Sequence, residues 1–415
     1  MRNALPTRSF PDRHTVPEGG YAPPLIPSQR LLHSGMTVPN YFRMHLFPGL
    51  FPLTAGLALY GWRALVSIGM VVGAAAASLR IWQHIGSRGR DLETSHGLWM
   101  ALLLGLMLPA HLATVDTAAY AQSVWPIPVA AGCLLIIFLW LLGGLGVGRL
   151  HPVVVTYLVL VSICYTQLIP HWVLQHDHLA SGDLLHGPAG YPGFSGTSVE
   201  SDSAGSEAWV KRQSISGQDS LWSEPASGPL IAYTTGTLKP DRGQMPLHEL
   251  LRDRMPPLED LIVGGQPGPI GLGSGIAVII GGLFLLYRGL IDYRIPLLII
   301  VTAFIALLVL PIPTVITESG ANWRWLPMRE TDVRWETAVT FANYEMMASP
   351  ILFVSFFLAT SGPLRPMNQF ARAPFAMLVG VLCAVFQLYV SVSFGPYVAL
   401  LVAGLAAPEL DRMGR

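Results

Sequence analysis

Residues 231–240 read IAYTTGTLKP and set three hydroxyl side chains, Thr234, Thr235 and Thr237, around Gly236 in a polar stretch between two apolar blocks. Clusters of Thr and Gly commonly form turns, because Gly reaches left-handed backbone and a Thr hydroxyl bonds the backbone beside it. A second chemistry fits the same residues. An aliphatic hydroxyl can accept a phosphoester when it is exposed on backbone that a modifying enzyme can approach, and Gly236 adds freedom and removes bulk. Lys239 and Arg242 follow closely enough to offset phosphate charge. Turn and group carrier both remain open on these residues alone.

Other groups carry weaker chemical signals. His171, His176, Asp177 and His178 in HWVLQHDH suggest a metal site, but their spacing matches no structural zinc pattern, and an interfacial polar cluster is the simpler reading. His96 and His111 bracket a short apolar run and read as headgroup-level histidines, with a pathway lining as the alternative. The GGLGVG run at 143–148 looks like a phosphate loop, yet it lacks the Lys-Ser/Thr pair and follows no strand. Inside a membrane such glycines permit close packing or a broken helix. Cys133, Cys164 and Cys383 all lie in apolar runs without a C-x-x-C pair, so they read as small core residues and argue against an iron–sulfur centre. Asp116, Asp292 and Glu345 stand at the ends of apolar runs and read as solvated charges, so no buried carboxylate pair stands out.

The elements that hold these residues follow from composition. Hydrophobic residues make up 52% of the chain and charged residues 12%, with a mean hydropathy of +0.48. Soluble domains carry roughly 25% charge. The apolar residues gather at 46–60, 64–82, 97–113, 125–147 and 152–171, then at 274–290, 295–316, 346–360, 373–393 and 395–409. A bilayer crossing needs about 20 residues of helix, so the expected fold class is an all-α polytopic membrane protein of about ten helices. The third run of each set is short and ends in Pro or Gly, which predicts broken helices at a midplane site. Zero net charge gives no reason to expect nucleic acid.

Basic residues set the expected orientation. Arg43, Arg80, Arg88, Arg90, Arg149, Arg288, Arg294, Arg365, Arg372, Arg412 and Arg415 all fall inside if both termini are cytoplasmic. Five crossings per half then make the halves inverted repeats. The expected layout is an irregular cytoplasmic arm at 1–45, a first repeat at 46–171 and an extracytoplasmic linker at 172–270. A second repeat at 271–410 and a tail at 411–415 complete it. Residues 172–230 are rich in Ser, Gly and Asp and are expected to be poorly ordered. Residues 247–263, with Leu247, Leu250, Leu251 and Met255, predict a short amphipathic surface helix.

Several stretches resemble the RnfD/NqrB family, the flavin-carrying membrane subunits of Rnf and Na⁺-translocating NADH:quinone oxidoreductase complexes. They are LYGWRALVSIG, LWMALLLGLMLPAHL and LLGGLGVGRLHPVVVTYLVL in the first half, and GGQPGPIGLGSGIAVIIGGLFLLYRGLIDYRIPLLI and SPILFVSFFLATSGPLRP in the second. The likeness covers roughly 46–171 and 231–410. It implies ten helices in two inverted sets of five, in a bacterial inner membrane. It also implies other membrane subunits as partners and a flavin transferase that attaches FMN to the last Thr of an S-G-A-T motif. The matching stretch here is TTGT, which puts the acceptor at Thr237, with Thr235 and Gly236 beside it. The resemblance implies a flavin pocket at the bend carrying Gly144 and Gly146, with His151 at an isoalloxazine edge and Ser274 in the remnant of a second motif.

Four family motifs are altered. G-E-T-S is GLGS at 271–274, T-D-P-V-T-S-P is TSGPLRP at 360–366, N-P-x-N-P-A is GRLHPVV, and Y-P-E-G is FGPY at 394–397. Three intramembrane acids are lost with them, which argues against the full cation-translocating machinery but not against the fold. The expected function is a membrane redox subunit that holds FMN and passes electrons. The alternatives are a structural or transport subunit without flavin, and a stand-alone secondary transporter.

Overall fold

The computed structural model describes residues 37–85, 93–113, 125–142, 150–168, 173–174, 210–215, 218–223, 227–238, 244–255, 258–264, 268–317, 320–324, 335–362, 364–366 and 368–413. Residues 39–415 form one unit, and of 1–38 only Thr37 and Val38 are described. Each of the ten apolar runs contains helix among its described residues, although 295–316 ends in a strand. The first half contributes α1 (Val38–Tyr60), α2 (Trp62–Ile85), α3 (Thr94–Met107), α4 (Pro126–Leu141) and α5 (Pro152–Ile163). Between the halves lie α6 (Ser227–Thr234) and α7 (Leu258–Val263). The second half holds α8 (Gly275–Tyr287), α9 (Arg294–Val309), α10 (Trp335–Ala348), α11 (Gln369–Tyr389) and α12 (Gly395–Met413).

Among the described residues, two helices are long and apolar enough to cross a bilayer alone, Trp62–His84 and Gln369–Tyr389. Taken together as one broken crossing, Trp335–Ala348 and Ile351–Leu358 also pass by length and composition, with a bend of 64° between them. Its cause is local: Pro350 interrupts the ladder, and the chain resumes as a π-turn over Val354–Leu358. Five further apolar helices, α3, α4, α5, α8 and α9, are shorter. The 16 residues of α9 rise only about 24 Å against a hydrocarbon core of about 30 Å. Their outward faces are nonetheless those of lipid-facing helices. Leu297, Val301, Ile305 and Val309 make an exposed apolar stripe along α9, and Ile276, Ile280, Leu283 and Tyr287 make another on α8.

Helix α3 is buried nearly all round, as an apolar helix without a polar face must be. It packs on α2, α4 and α5, and α9, α11 and α12 pack in sequence across the second half. Gly380 lets α11 approach α9 closely, since a Cβ there would strike Thr302 Oγ1 and come within 2.7 Å of the Ile299 carbonyl. The halves meet where α3 ends. Pro109 bridges Pro269, and Ile270 N–H donates to the Leu108 carbonyl at 3.0 Å.

Two small antiparallel sheets accompany the helices, which composition alone did not signal. The first has the order β1-β3-β2, with β1 (Val173–Leu174), β2 (Val210–Ile215) and β3 (Gln218–Ser223). It falls in the stretch expected to lack order, and its register runs from Val210↔Ser223 to Ile215↔Gln218. The second has the order β4-β5-β6, with β4 (Gln244–Pro246), β5 (Ile312–Thr317) and β6 (Gly320–Arg324). It stitches the inter-half segment to the connection after α9.

The single surface helix expected at 247–263 is corrected. Leu247–Glu249 and a π-turn at Leu250–Arg254 end before Met255, and α7 starts only at Leu258. Pro256 and Pro257 lie between and cannot donate to a continuous ladder. Leu247, Leu250, Leu251 and Met255 are buried in the protein core rather than laid on lipid.

Candidate functional site

The threonine cluster closes helix α6. Thr235 N–H donates to the Ile231 carbonyl at 2.9 Å, and Gly236 N–H to the Tyr233 carbonyl at 3.1 Å. Thr237 and Leu238 N–H both donate to the Ala232 carbonyl at 2.9 Å. Gly236 takes φ 70, the left-handed conformation that ends helices and that costs an L side chain strain. The cluster is therefore a turn, and the turn sorts its hydroxyls. Thr234 is buried and donates back to the Leu230 carbonyl at 2.9 Å. Thr235 and Thr237 are exposed, with their Oγ1 atoms 3.0 Å apart. Thr237 Oγ1 also donates to the Ala232 carbonyl at 3.2 Å. An exposed hydroxyl held at the rim of a helix end, beside a residue with no Cβ, fits a covalently attached phosphoryl group. Lys239 and Arg242 lie outside the described residues.

The helix beneath the turn is anchored. Tyr233 is buried and its hydroxyl donates to the Thr314 carbonyl on β5 at 3.0 Å. Burial raises the phenol above its ordinary pKa, so the hydroxyl stays a donor throughout the physiological range. Helix α6 also packs against α10 and α11. The exposed turn thus sits on a fixed platform made of the β4-β5-β6 sheet and two helix ends.

The remaining predicted site residues are scattered. Gly144 and Gly146 lie outside the described residues. Ser274 is buried and caps α8: its Oγ accepts from Ala277 N–H at 3.4 Å and donates to the Val263 carbonyl at 2.6 Å. His151 precedes α5, fully buried, with neither ring nitrogen hydrogen-bonded among the described residues. The headgroup-level reading of His96 is corrected: it is 1% exposed, and its Nε2 has no hydrogen-bond partner among the described residues. It belongs to an aromatic group in which Phe42 lies 4.5 Å from His96 and His45 5.6 Å from Trp99, centroid to centroid. Of the HWVLQHDH run only Val173 and Leu174 are described, and the His111 side chain lies outside the described ones.

Glu345 is the residue that sequence reasoning misplaced. It does not sit at a solvated helix end but is 0% exposed inside the bent crossing. Gln387 of α11 donates its amide to Glu345 Oε2 and to the Glu345 carbonyl. A polar residue in an apolar run, Gln387 in AVFQLYV, was the available signal, but only folding pairs the two across 42 positions.

The sequence matches the NQR2, RnfD, RnfE family over residues 26–415. It is 26% identical over 316 residues to a subunit of the ion-translocating oxidoreductase complex of Mannheimia succiniciproducens, covering 74% of this chain and 75% of that protein. The corresponding protein from Halorhodospira halophila is 24% identical over 381 residues, covering 91% and 90%. A subunit of the Na⁺-translocating ferredoxin:NAD⁺ oxidoreductase complex of Acetobacterium woodii is 29% identical over 161 residues, covering 38% and 42%.

Proposed function

Because the chain belongs to the NQR2, RnfD, RnfE family, we propose that it is the integral membrane subunit of an ion-translocating electron-transport complex. Thr237 carries FMN in this reading, attached through a phosphoester at Oγ1 by a flavin transferase. The observation that carries it is the sorting of hydroxyls at the end of α6: Thr235 and Thr237 are exposed on either side of Gly236, with Thr237 in the acceptor place of the motif, while Thr234 is buried and spent on the helix. Bound FMN supplies one- and two-electron chemistry, while the protein supplies position. The platform under the turn keeps the attachment point fixed relative to the crossings. The Gly236 backbone leaves the hydroxyl approachable. Other membrane subunits of the complex and surrounding lipid are the remaining partners.

The same reading takes the two sets of five helices as oppositely directed bundles with both termini cytoplasmic. Within the second set the contacts support alternate directions. Arg372 at the start of α11 pairs with Asp292 before α9 at 3.0 Å, and Asn368 N–H donates to Asp411 at the end of α12. At the other end, Tyr389 closes α11 against the Pro311 carbonyl after α9. The α6 turn lies at this second end, taken as extracytoplasmic.

The test is the mass of the intact protein after expression with and without a flavin transferase. The expected result is a gain of one FMN phosphoester only with the transferase, lost in Thr237→Ala and kept in Thr234→Val. An unmodified chain, under conditions that flavinylate another member of the family, overturns the flavin assignment. A second reading is a structural component without flavin. Ser274 favours it, because its hydroxyl is committed to capping α8 and bonding Val263.

A further inference from the structure

Resting on the reading of this chain as part of an ion-translocating complex, we propose that Glu345 with Gln387 forms a buried proton-carrying site inside the bent crossing. Glu345 lies ten residues into α10, one helical turn before the break at Ser349 and Pro350. Both side chains are buried, Glu345 at 0% and Gln387 at 1% exposure. Their hydrogen bonds leave a definite imbalance. The Gln387 amide donates to Glu345 Oε2 and to the Glu345 carbonyl, so the donors of that amide are used. Glu345 Oε1 and Gln387 Oε1 are left as two buried oxygens without a hydrogen-bond partner among the described residues.

Two buried acceptors on a hydrogen-bonded pair, with no donor for either among the described residues, are one hydrogen short. A carboxylic acid and a primary amide are complementary: the amide N–H donates to one carboxyl oxygen, and the acid O–H donates to the amide oxygen. Binding one proton at Glu345 Oε1 forms that O–H bond, consumes no electrons and cancels the carboxylate charge. The unprotonated form would leave a bare charge in an apolar interior, which is expensive. No salt-bridge partner offsets it among the described residues. Loss of the proton requires a change at the site, and a bent helix offers one. Ser349, at the break just past the end of α10, has its hydroxyl 3.5 Å from the Met346 carbonyl, a long and weak bond.

The position ties this site to the proposed flavin anchor. Helix α6, whose end carries Thr237, packs against α10 and α11, the two helices that supply Glu345 and Gln387. The helix that leads into the attachment turn therefore touches both helices of the site. Its carboxyl also lies outside the four motifs whose residues are altered in this chain, so it is a separate intramembrane acid.

The experiment uses the full chain in detergent and the apolar reagent dicyclohexylcarbodiimide, which modifies protonated carboxyls in apolar surroundings. The expected result is one adduct per chain at neutral pH, mapped to Glu345, absent in Glu345→Gln, and unchanged by added sodium chloride. Absence of label at Glu345 in the folded wild-type protein overturns the proposal. Protection by sodium but not by an equal concentration of choline also overturns it, since the site would then hold a metal cation rather than a proton. Thr237→Ala protein is labelled in parallel and must give the same adduct. Unflavinylated but labelled protein refutes the flavin assignment alone.

Discussion

At the scale of single residues, the turn at Thr235, Gly236 and Thr237 does two things with one geometry. Gly236 at φ 70 ends α6 and, lacking a side chain, leaves the neighbouring hydroxyl uncovered. Replacing it with Ala forces an L side chain into the left-handed region at a cost of about 1 kcal/mol. Gly236→Ala is expected to lower flavin incorporation several-fold in a timed transferase reaction while the protein still purifies as a folded species. Full incorporation at the wild-type rate would mean that the backbone conformation does not matter to the acceptor. Tyr233→Phe removes the hydrogen bond to the Thr314 carbonyl, worth about 1 kcal/mol. The expected outcome is faster proteolysis between α6 and β4 with an unchanged thermal midpoint for the helical core.

At the scale of elements, small residues set the distances between helices. Gly380 brings α11 onto α9, and an added methyl would collide with Thr302 Oγ1 and crowd the Ile299 carbonyl, and the carbonyl cannot yield without moving the backbone. Gly380→Ala should lower the thermal unfolding midpoint in detergent, consistent with an overpacking cost of about 1–3 kcal/mol. Gly73→Ala on α2 is the control, since nothing lies within 4 Å of its added Cβ. Equal midpoints for the two variants would show that α11 and α9 do not pack as described. The bent crossing is a different kind of element: its 64° turn is built into the sequence by Ser349 and Pro350 and buries Glu345 against α11.

At the scale of the whole molecule, the prediction concerns sidedness. The pair Arg372–Asp292 and the contact of Asn368 with Asp411 mark one end of the second helix set. The β4-β5-β6 sheet and the α6 turn mark the other. Cysteines introduced at Thr237 and at exposed Gly362, in a background lacking Cys133, Cys164 and Cys383, should react with an impermeant maleimide from opposite sides of the membrane. Labelling of both from one side would break the two-bundle arrangement.

The sequence alone determined the membrane class, the family and the place of each of the ten helical runs, because hydropathy, glycines and prolines are local properties. It also singled out TTGT, since a cluster of hydroxyls is visible without a fold. Tertiary structure decided which of those hydroxyls faces solvent, because exposure depends on how α6 meets α10, α11 and β5. It also decided that Glu345, placed at the edge of an apolar run, is an interior group. Burial and pairing are properties of contacts between distant segments: the Gln387 that meets Glu345 is 42 residues away along the chain, a separation that no local pattern encodes.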